Sequence, residues 1–591
     1  MYESLGKPTT QELGINPTHN NNSIIVFNSP FSLLLINVKP LHQLMTRPLT
    51  TRYLTPQVIG LTALLAATFP ACTGENPSQS QASGGTTGSG GHNDPNGGGG
   101  LASGGSAITG GSGGAGTGGD IDTQSGGVAS GGGDNSSGGG DAGSGGAAPS
   151  TCVPDGKAHN PLVTQIFTAD PNAVVYNDRL YVYASHDEDG QDGFDMIDYH
   201  VFSSDDMVNW QDHGVIINTS TLPWASRLYA PGACEKNGKY YLYMPNSGSA
   251  IGVAIADDPG GPFVDARGTA LITPSTPGVS DVDWLFDPAC LVDDDGQAYL
   301  YFGGGPEGTG DNGRVIRLNE DMISLKDTRA TTLPIPALFE AIHVVKHEGV
   351  YYMQYSSDFS AGHGAALEYM TSTDPMTGWE HQGKLLPNAS INNGNNNHGS
   401  IVEYKGKTYL FYHNRKLQQE LGVNKVNNRS MAVQEITWGP NNTINPATMS
   451  TDDYTVTQLK CLDGFSEVQA ETLAEEHGIE VDGKAGEVVH IADISNGDWI
   501  AYSQVDFRDG ATKWVGKVAS AAGGGTIDVV VDGCIAGAMG TSVGSCEVAS
   551  TGGASTYAEL TCTIEETSGA HDLCLKFSGS PSFVIDSWHL E

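Results

Sequence analysis

The 591-residue sequence predicts an all-β protein: a five-bladed β-propeller followed by a β-sandwich of jelly-roll type. Three observations carry this. A hairpin-like unit recurs five times between His159 and Lys460, the stretch after it reads as short alternating strands at regular spacing, and helical periodicity is nearly absent throughout.

The chain opens with segments of a different kind. Residues 1–44 carry no capping, periodicity or domain signal and read as an extension from a start assigned too early. From Met45 the pattern is that of an export signal over 45–72: Arg47 and Arg52, an apolar stretch from Val58 to Phe69 too short to span a bilayer, then small residues before Cys72. Phe69-Pro70-Ala71-Cys72 resembles a bacterial lipobox, which would make Cys72 the lipidated first residue of an exported, membrane-anchored protein; an ordinary secretory signal cut nearby is the rival. Residues 73–150 are Gly, Ser, Thr and Asn with almost no large apolar side chain, cannot bury a core, and read as a flexible tether.

The net charge of −39 argues against a nucleic-acid partner, whose phosphates most of the surface would repel. Nine cysteines less Cys72 leave eight, and five of these lie from Cys461 onward, a density that points to disulfides in an exported chain. Cys534–Cys546 and Cys562–Cys574 are the nearest neighbours available for bridging, although sequence leaves the connectivity open. No CxxC or Cys/His run has zinc-finger spacing.

The region 151–460 contains the repeats, which begin at Asp170, Ala230, Asp287, Phe339 and His398. Each has a short apolar strand, a polar turn (Asn-Asp, Asn-Gly, Asp-Gly, Glu-Gly or Lys-Gly) and a Tyr-rich strand, and they recur roughly every 55–60 residues, as propeller blades do. Four of the five are followed by a second half, such as DDMVNWQDHGVII and DPMTGWEHQGKLL, expected to form the outer strands. Residues 461–591 then form the expected separate sandwich.

The innermost strand of a blade starts at the propeller axis, so equivalent repeat positions face one another. Those positions hold Asp170, Ala230, Asp287, Glu340 and His398. One Asp-Pro can merely begin a strand. Three acids at equivalent positions match the carboxylate pair of glycoside hydrolysis plus a third group that biases their protonation.

With these motifs in view, the propeller region resembles glycoside hydrolase family 43. The matching stretches include FTADPNAVVYNDRLYVYASHD, FDPACLVDDDGQAYLYFGG, LFEAIHVVKHEGVYYMQYS and HGSIVEYKGKTYLFYH. The resemblance implies an inverting hydrolase that needs no cofactor for its chemistry. Asp170 would be general base, Asp287 the positioning and pKa-tuning acid, and Glu340 general acid. It further implies that His398 approaches an axial calcium through water, with a hydrogen-bonded structural histidine as the other reading, and that Arg429 steadies a carboxylate or a sugar hydroxyl. Trp284, Phe286 and Tyr229 offer either an apolar wall for a sugar ring or core packing. Many relatives carry Trp-Ala-Pro-Asp in blade two, where this chain has Tyr229-Ala230-Pro231-Gly232.

The C-terminal region resembles carbohydrate-binding module family 6 through Gln469-Ala470-Glu471, Asn496-Gly497-Asp498-Trp499-Ile500 and Phe583-Val584-Ile585-Asp586. That resemblance implies a structural calcium held by Gln469, Glu471 and Asp586. The places of its usual sugar-stacking aromatics and Asn hold His490, Ala554 and Val584, which puts the customary cleft in doubt. The expected substrate class is plant cell-wall hemicellulose, with release of α-L-arabinofuranose or β-D-xylose. An exo-acting β-1,3-galactan hydrolase, a retaining hydrolase of fructans and a non-catalytic glycan-capturing lipoprotein are the alternatives.

Overall fold

The computed structural model describes residues 152–591, except 192, 307–310, 359–363, 395, 424–426 and 451–453. The expected extension (1–44), export signal with Cys72 (45–72) and tether (73–150) all lie outside the described residues.

Four antiparallel sheets form successive blades, each running outward in chain order. Blade one has strands Thr168–Tyr176, Arg179–His186, Asp198–Ser204 and Trp210–Asn218. Blades two, three and four likewise start at Gly232–Lys236, Ala289–Val292 and Leu338–His347. Blade five has three strands, Gly399–Tyr404, Lys407–Asn414 and Ser430–Ile436, and it is the repeat for which the sequence has no second half. Residues 157–160 reinforce its edge. Asn160 donates to the Val433 carbonyl (2.9 Å) and accepts from the Val433 N–H (3.0 Å), while Lys157–His159 pairs with Tyr454–Thr457.

The hairpin turns explain the repeat. Asn177-Asp178, Asn237-Gly238, Glu348-Gly349 and Lys405-Gly406 all have positive φ at both central residues, the tight turn whose twist matches the strands it joins. Between strands, interleaved Tyr, Leu and Val pack blade against blade, as where Tyr183, Leu242 and Phe263 share one core.

The C-terminal module is a curled all-β sheet. Its two layers join at one edge through the pair Gly544–Ile564 and enclose a core that includes Trp514, Tyr502 and Trp588. The module is seated on blade one: Thr472–Leu473 adds a strand to Trp210–Asn218, and the Asn209 side chain exchanges two hydrogen bonds with the Ser503 backbone (3.0 and 2.8 Å).

All eight cysteines among the described residues are bridged, as Cys152–Cys461, Cys234–Cys290, Cys534–Cys574 and Cys546–Cys562. The pairs expected from sequence proximity, Cys534–Cys546 and Cys562–Cys574, are therefore incorrect. Sheet pairing decides the matter. Cys534 follows strand Thr526–Gly533, which lies against the Cys574 strand, and Cys546 lies on the strand that meets the Cys562 strand.

Candidate active site

The three acids sit where the backbone departs from regular strand. Asp170 and Asp287 adopt φ +53° and +48°, although a residue before proline is ordinarily extended. Glu340 lies between two register shifts of its strand and is followed by Ala341 at φ +66°. Such bulges re-aim a side chain at some cost in local strain, which surrounding structure must sustain. All three open onto one cavity of about 460 Å³, a size suited to a small ligand. Arg429, Trp284, Phe286, Tyr229 and His398 line the same cavity, so the structure brings together every propeller residue singled out from sequence.

Asp170 is the most heavily supported acid. It is 4% exposed, accepts from Arg429 Nη1 (2.7 Å) and from Ser185 Oγ (2.7 Å), and its own N–H donates to His413 Nδ1 (3.1 Å). Burial alone would raise its pKa, but the Arg429 guanidinium foremost, with the neighbouring histidines, holds it well below the usual carboxylate range. Arg429 is in turn clamped by Asp187, which accepts from Nε (2.9 Å) and Nη2 (2.8 Å).

Asp287 and Glu340 are shifted the other way. Burial and the charge of Asp170 push Asp287 up to about 8, against a stabilising hydrogen bond from the Ala341 N–H (2.8 Å). Burial, then the charges of Asp287 and Asp170, push Glu340 well above the ordinary glutamate range. Asn396 donates to Glu340 Oε1, which leaves Oε2 to carry the proton. The site thus pairs a carboxylate kept ionised with a carboxylic acid kept neutral, a division that suits acid–base catalysis.

His398 stands 3.6 Å from Asp170 and 3.9 Å from Asp287, and burial lowers its pKa to about 3, so it is neutral. Calcium takes six to eight oxygen ligands. The carboxyl oxygens nearest His398 belong to Asp170 and Asp287, already engaged by Arg429 and by the Ala341 N–H, so the protein groups alone do not form a calcium cage there. The module differs. Gln469, Glu471 and Asp586 line one cavity of about 350 Å³ together with Glu467. Glu471 Oε2 is buried without a hydrogen-bond partner, and burial holds Glu471 well above the normal range. These oxygens fit a structural calcium, which would there satisfy an otherwise orphaned carboxylate.

The apolar wall is built by Trp284, which meets Phe286 and Phe339 edge to face at 5.2 and 5.4 Å, and by Tyr229 beside Phe194 (6.1 Å). Gly232, where the family resemblance led to the expectation of an Asp, has a packing cause: a Cβ there would lie 2.0 Å from the Pro288 carbonyl oxygen. Sequence reasoning missed Asp187, Ser185, His413, Asn396 and Phe194. Asp187 could have been found, because the first repeat ends in an acid just where its hairpin returns to the axis. Asn396 stands two residues before His398 but had no assigned role. In the module, Tyr557 approaches His490 at 6.4 Å and lies under Lys517 Nζ at 5.7 Å, so an aromatic does stand near one of the expected cleft positions.

Comparison with known proteins agrees with this architecture. Residues 158–444 match the model of glycosyl hydrolases family 43, and residues 469–591 match that of carbohydrate binding module family 6. The chain is 35% identical over 475 residues to an arabinoxylan arabinofuranohydrolase of Paenibacillus polymyxa, spanning 73% of this chain and 74% of that one. It is 36% identical to the arabinoxylan arabinofuranohydrolase of Bacillus subtilis (strain 168), across 73% and 91% of the two chains. A crystal structure of a Bacillus subtilis family 43 arabinoxylan arabinofuranohydrolase with cellotetraose superposes with a TM-score of 0.66 at 34% identity, covering 73% of this chain and 97% of that one. The chain belongs to glycoside hydrolase family 43, joined to a family 6 carbohydrate-binding module, and is an O-glycosyl hydrolase.

Proposed function

We propose that this enzyme removes α-L-arabinofuranosyl groups from arabinoxylan by single displacement with inversion. The observation that carries the reading is the opposed ionisation of two acids on one pocket, with Asp170 held charged by Arg429 and Glu340 held neutral by burial beside two carboxyl groups. Asp170 takes a proton from a water molecule as its oxygen bonds to the anomeric carbon. Glu340 gives its proton to the glycosidic oxygen as the bond to the sugar breaks. Water is thereby divided between sugar and leaving alcohol, and exchange with solvent restores both acids. Asp287, tied to the backbone beside Glu340, keeps that acid protonated and positioned.

Arabinofuranose is the favoured reading over xylose because the two relatives named for arabinoxylan align across 73% of this chain. A relative named xylosidase/arabinosidase, from Humicola insolens, aligns over 47%. The module would hold the enzyme on polymer while the propeller trims it. Export with a lipid anchor on Cys72 completes the proposal, supported by four disulfides of a kind that persist in oxidising compartments.

The test is a panel of aryl arabinofuranosides, xylosides and galactosides, with the first-formed anomer followed by NMR. Turnover of the arabinofuranoside with inverted product supports the reading. Retained configuration refutes the mechanism, and turnover of xyloside alone refutes the sugar.

A further inference from the structure

Outside the pocket, blade one gathers a second cluster of chemistry-bearing side chains. His186 ends strand Arg179–His186, while Asp198 and His200 share one face at the start of Asp198–Ser204. The register pairs Ala184 with His200 and Ser185 with Tyr199, which sets His186 beside Asp198. One ligand atom from each of His186, Asp198 and His200 lies within 4.8 Å of the other two.

We propose that His186, Asp198 and His200 form a zinc site that clips these two strands together. His186 Nδ1 and Asp198 Oδ1 are 3.0 Å apart, close to the spacing of about 3.4 Å that two ligands have around a tetrahedral zinc with bonds of about 2.1 Å. Glu188 Oε1, 3.8 Å from the same nitrogen, offers a fourth ligand. The state of His200 is set from outside. Asp212, fully buried, lies 3.1 Å from His200 Nδ1 and is itself fixed by the Gly214 N–H (2.8 Å) and by Gln165 (3.2 Å). A carboxylate on one ring nitrogen assigns the proton to that side and leaves Nε2 with its lone pair, the outer arrangement that metal-binding histidines use. A simple ion pair between His186 and Asp198 requires neither the second histidine nor the carboxylate behind it. Two nitrogens and one carboxylate oxygen suit zinc and not calcium.

The site has a structural consequence. His186 and Asp198 are the two ends of the segment that carries Asp187, the clamp on Arg429, and Phe194 and Met196 on the pocket wall. Zinc would hold the base of that segment without touching substrate.

Isothermal titration of the metal-stripped full chain with zinc tests this. Wild type is expected to bind one zinc per chain at about 10 μM or tighter. His186→Gln and His200→Gln should each weaken binding at least about 10-fold, and Asp212→Asn by about 10–100-fold. Calcium at about 1 mM should leave the isotherm unchanged. No zinc uptake by wild type, an unaltered isotherm in both histidine variants, or displacement by calcium would each overturn the proposal. Should His200→Gln fail to fold, His186→Gln, at a strand end, supplies the same readout.

Discussion

Replacing Arg429 by Met isolates the electrostatics on which the proposed mechanism depends. Arg429 is 1% exposed and bonds Asp170 and Asp187 together. Its removal leaves two buried carboxylates without their cation, a loss of about 3–5 kcal/mol in stability when one partner of a buried pair is deleted. Catalysis should suffer separately. In wild type the depressed Asp170 stays ionised through the acid range, so the acid limb of kcat/KM is not set by this group near neutrality. Without Arg429 the burial penalty is no longer offset, and the pKa of Asp170 rises. The sign follows: activity is lost at low pH and returns as pH climbs through the new value, about tenfold for each pH unit below it. Arg429→Lys should restore part of the shift, since a point charge recovers the attraction but not the two-sided fork. The assay is kcat/KM against pH on a soluble aryl arabinofuranoside, beside a thermal melt to confirm folding. A folded Arg429→Met enzyme with the wild-type acid limb would refute the assignment of Arg429 as the group that keeps Asp170 charged.

Other consequences are equally direct. Glu340→Gln should lose most activity on substrates with poor leaving groups and least on activated aryl glycosides; equal loss on both would remove Glu340 as the acid. On the basic side, wild-type kcat/KM should fall as pH rises through about 8, where Asp287 gives up its proton, with Glu340 also raised well above the ordinary glutamate range; a profile flat to pH 10 would contradict the assigned ionisation states. Gly232→Ala should cost about 1–3 kcal/mol in denaturant unfolding, because its Cβ meets the Pro288 carbonyl; an unchanged midpoint would mean that blades two and three separate easily. Cys152→Ala with Cys461→Ala should cost about 2–5 kcal/mol, since that bridge closes a 309-residue separation across the propeller.

The propeller was legible because it repeats. A turn with two positive-φ residues has few acceptable sequences, so Asn237-Gly238 and Lys405-Gly406 mark hairpins on their own. Repetition also located the acids, because equivalent positions of a closed ring must face its axis. What supports those acids was not legible. Asp187 lies 242 residues from Arg429 and Ser185 lies 15 from Asp170, and no periodicity relates them. The disulfides failed for the same reason. Cys534 and Cys546 are close in sequence, yet each is bonded to a strand neighbour reached only once the sheet has formed.

The amino-acid sequence by itself therefore determined the all-β class, the five-fold repeat and which three acids meet at the axis, all of which follow from local turn chemistry and strand alternation. Tertiary structure alone decided their ionisation. Asp170 and Asp287 share a residue type, a following proline and nearly the same φ, but Arg429 reaches the first with a direct bond, whereas the second is buried beside a charge of its own sign. A pKa is set by what lies within a few ångströms in space, and only the closed ring brings those groups there.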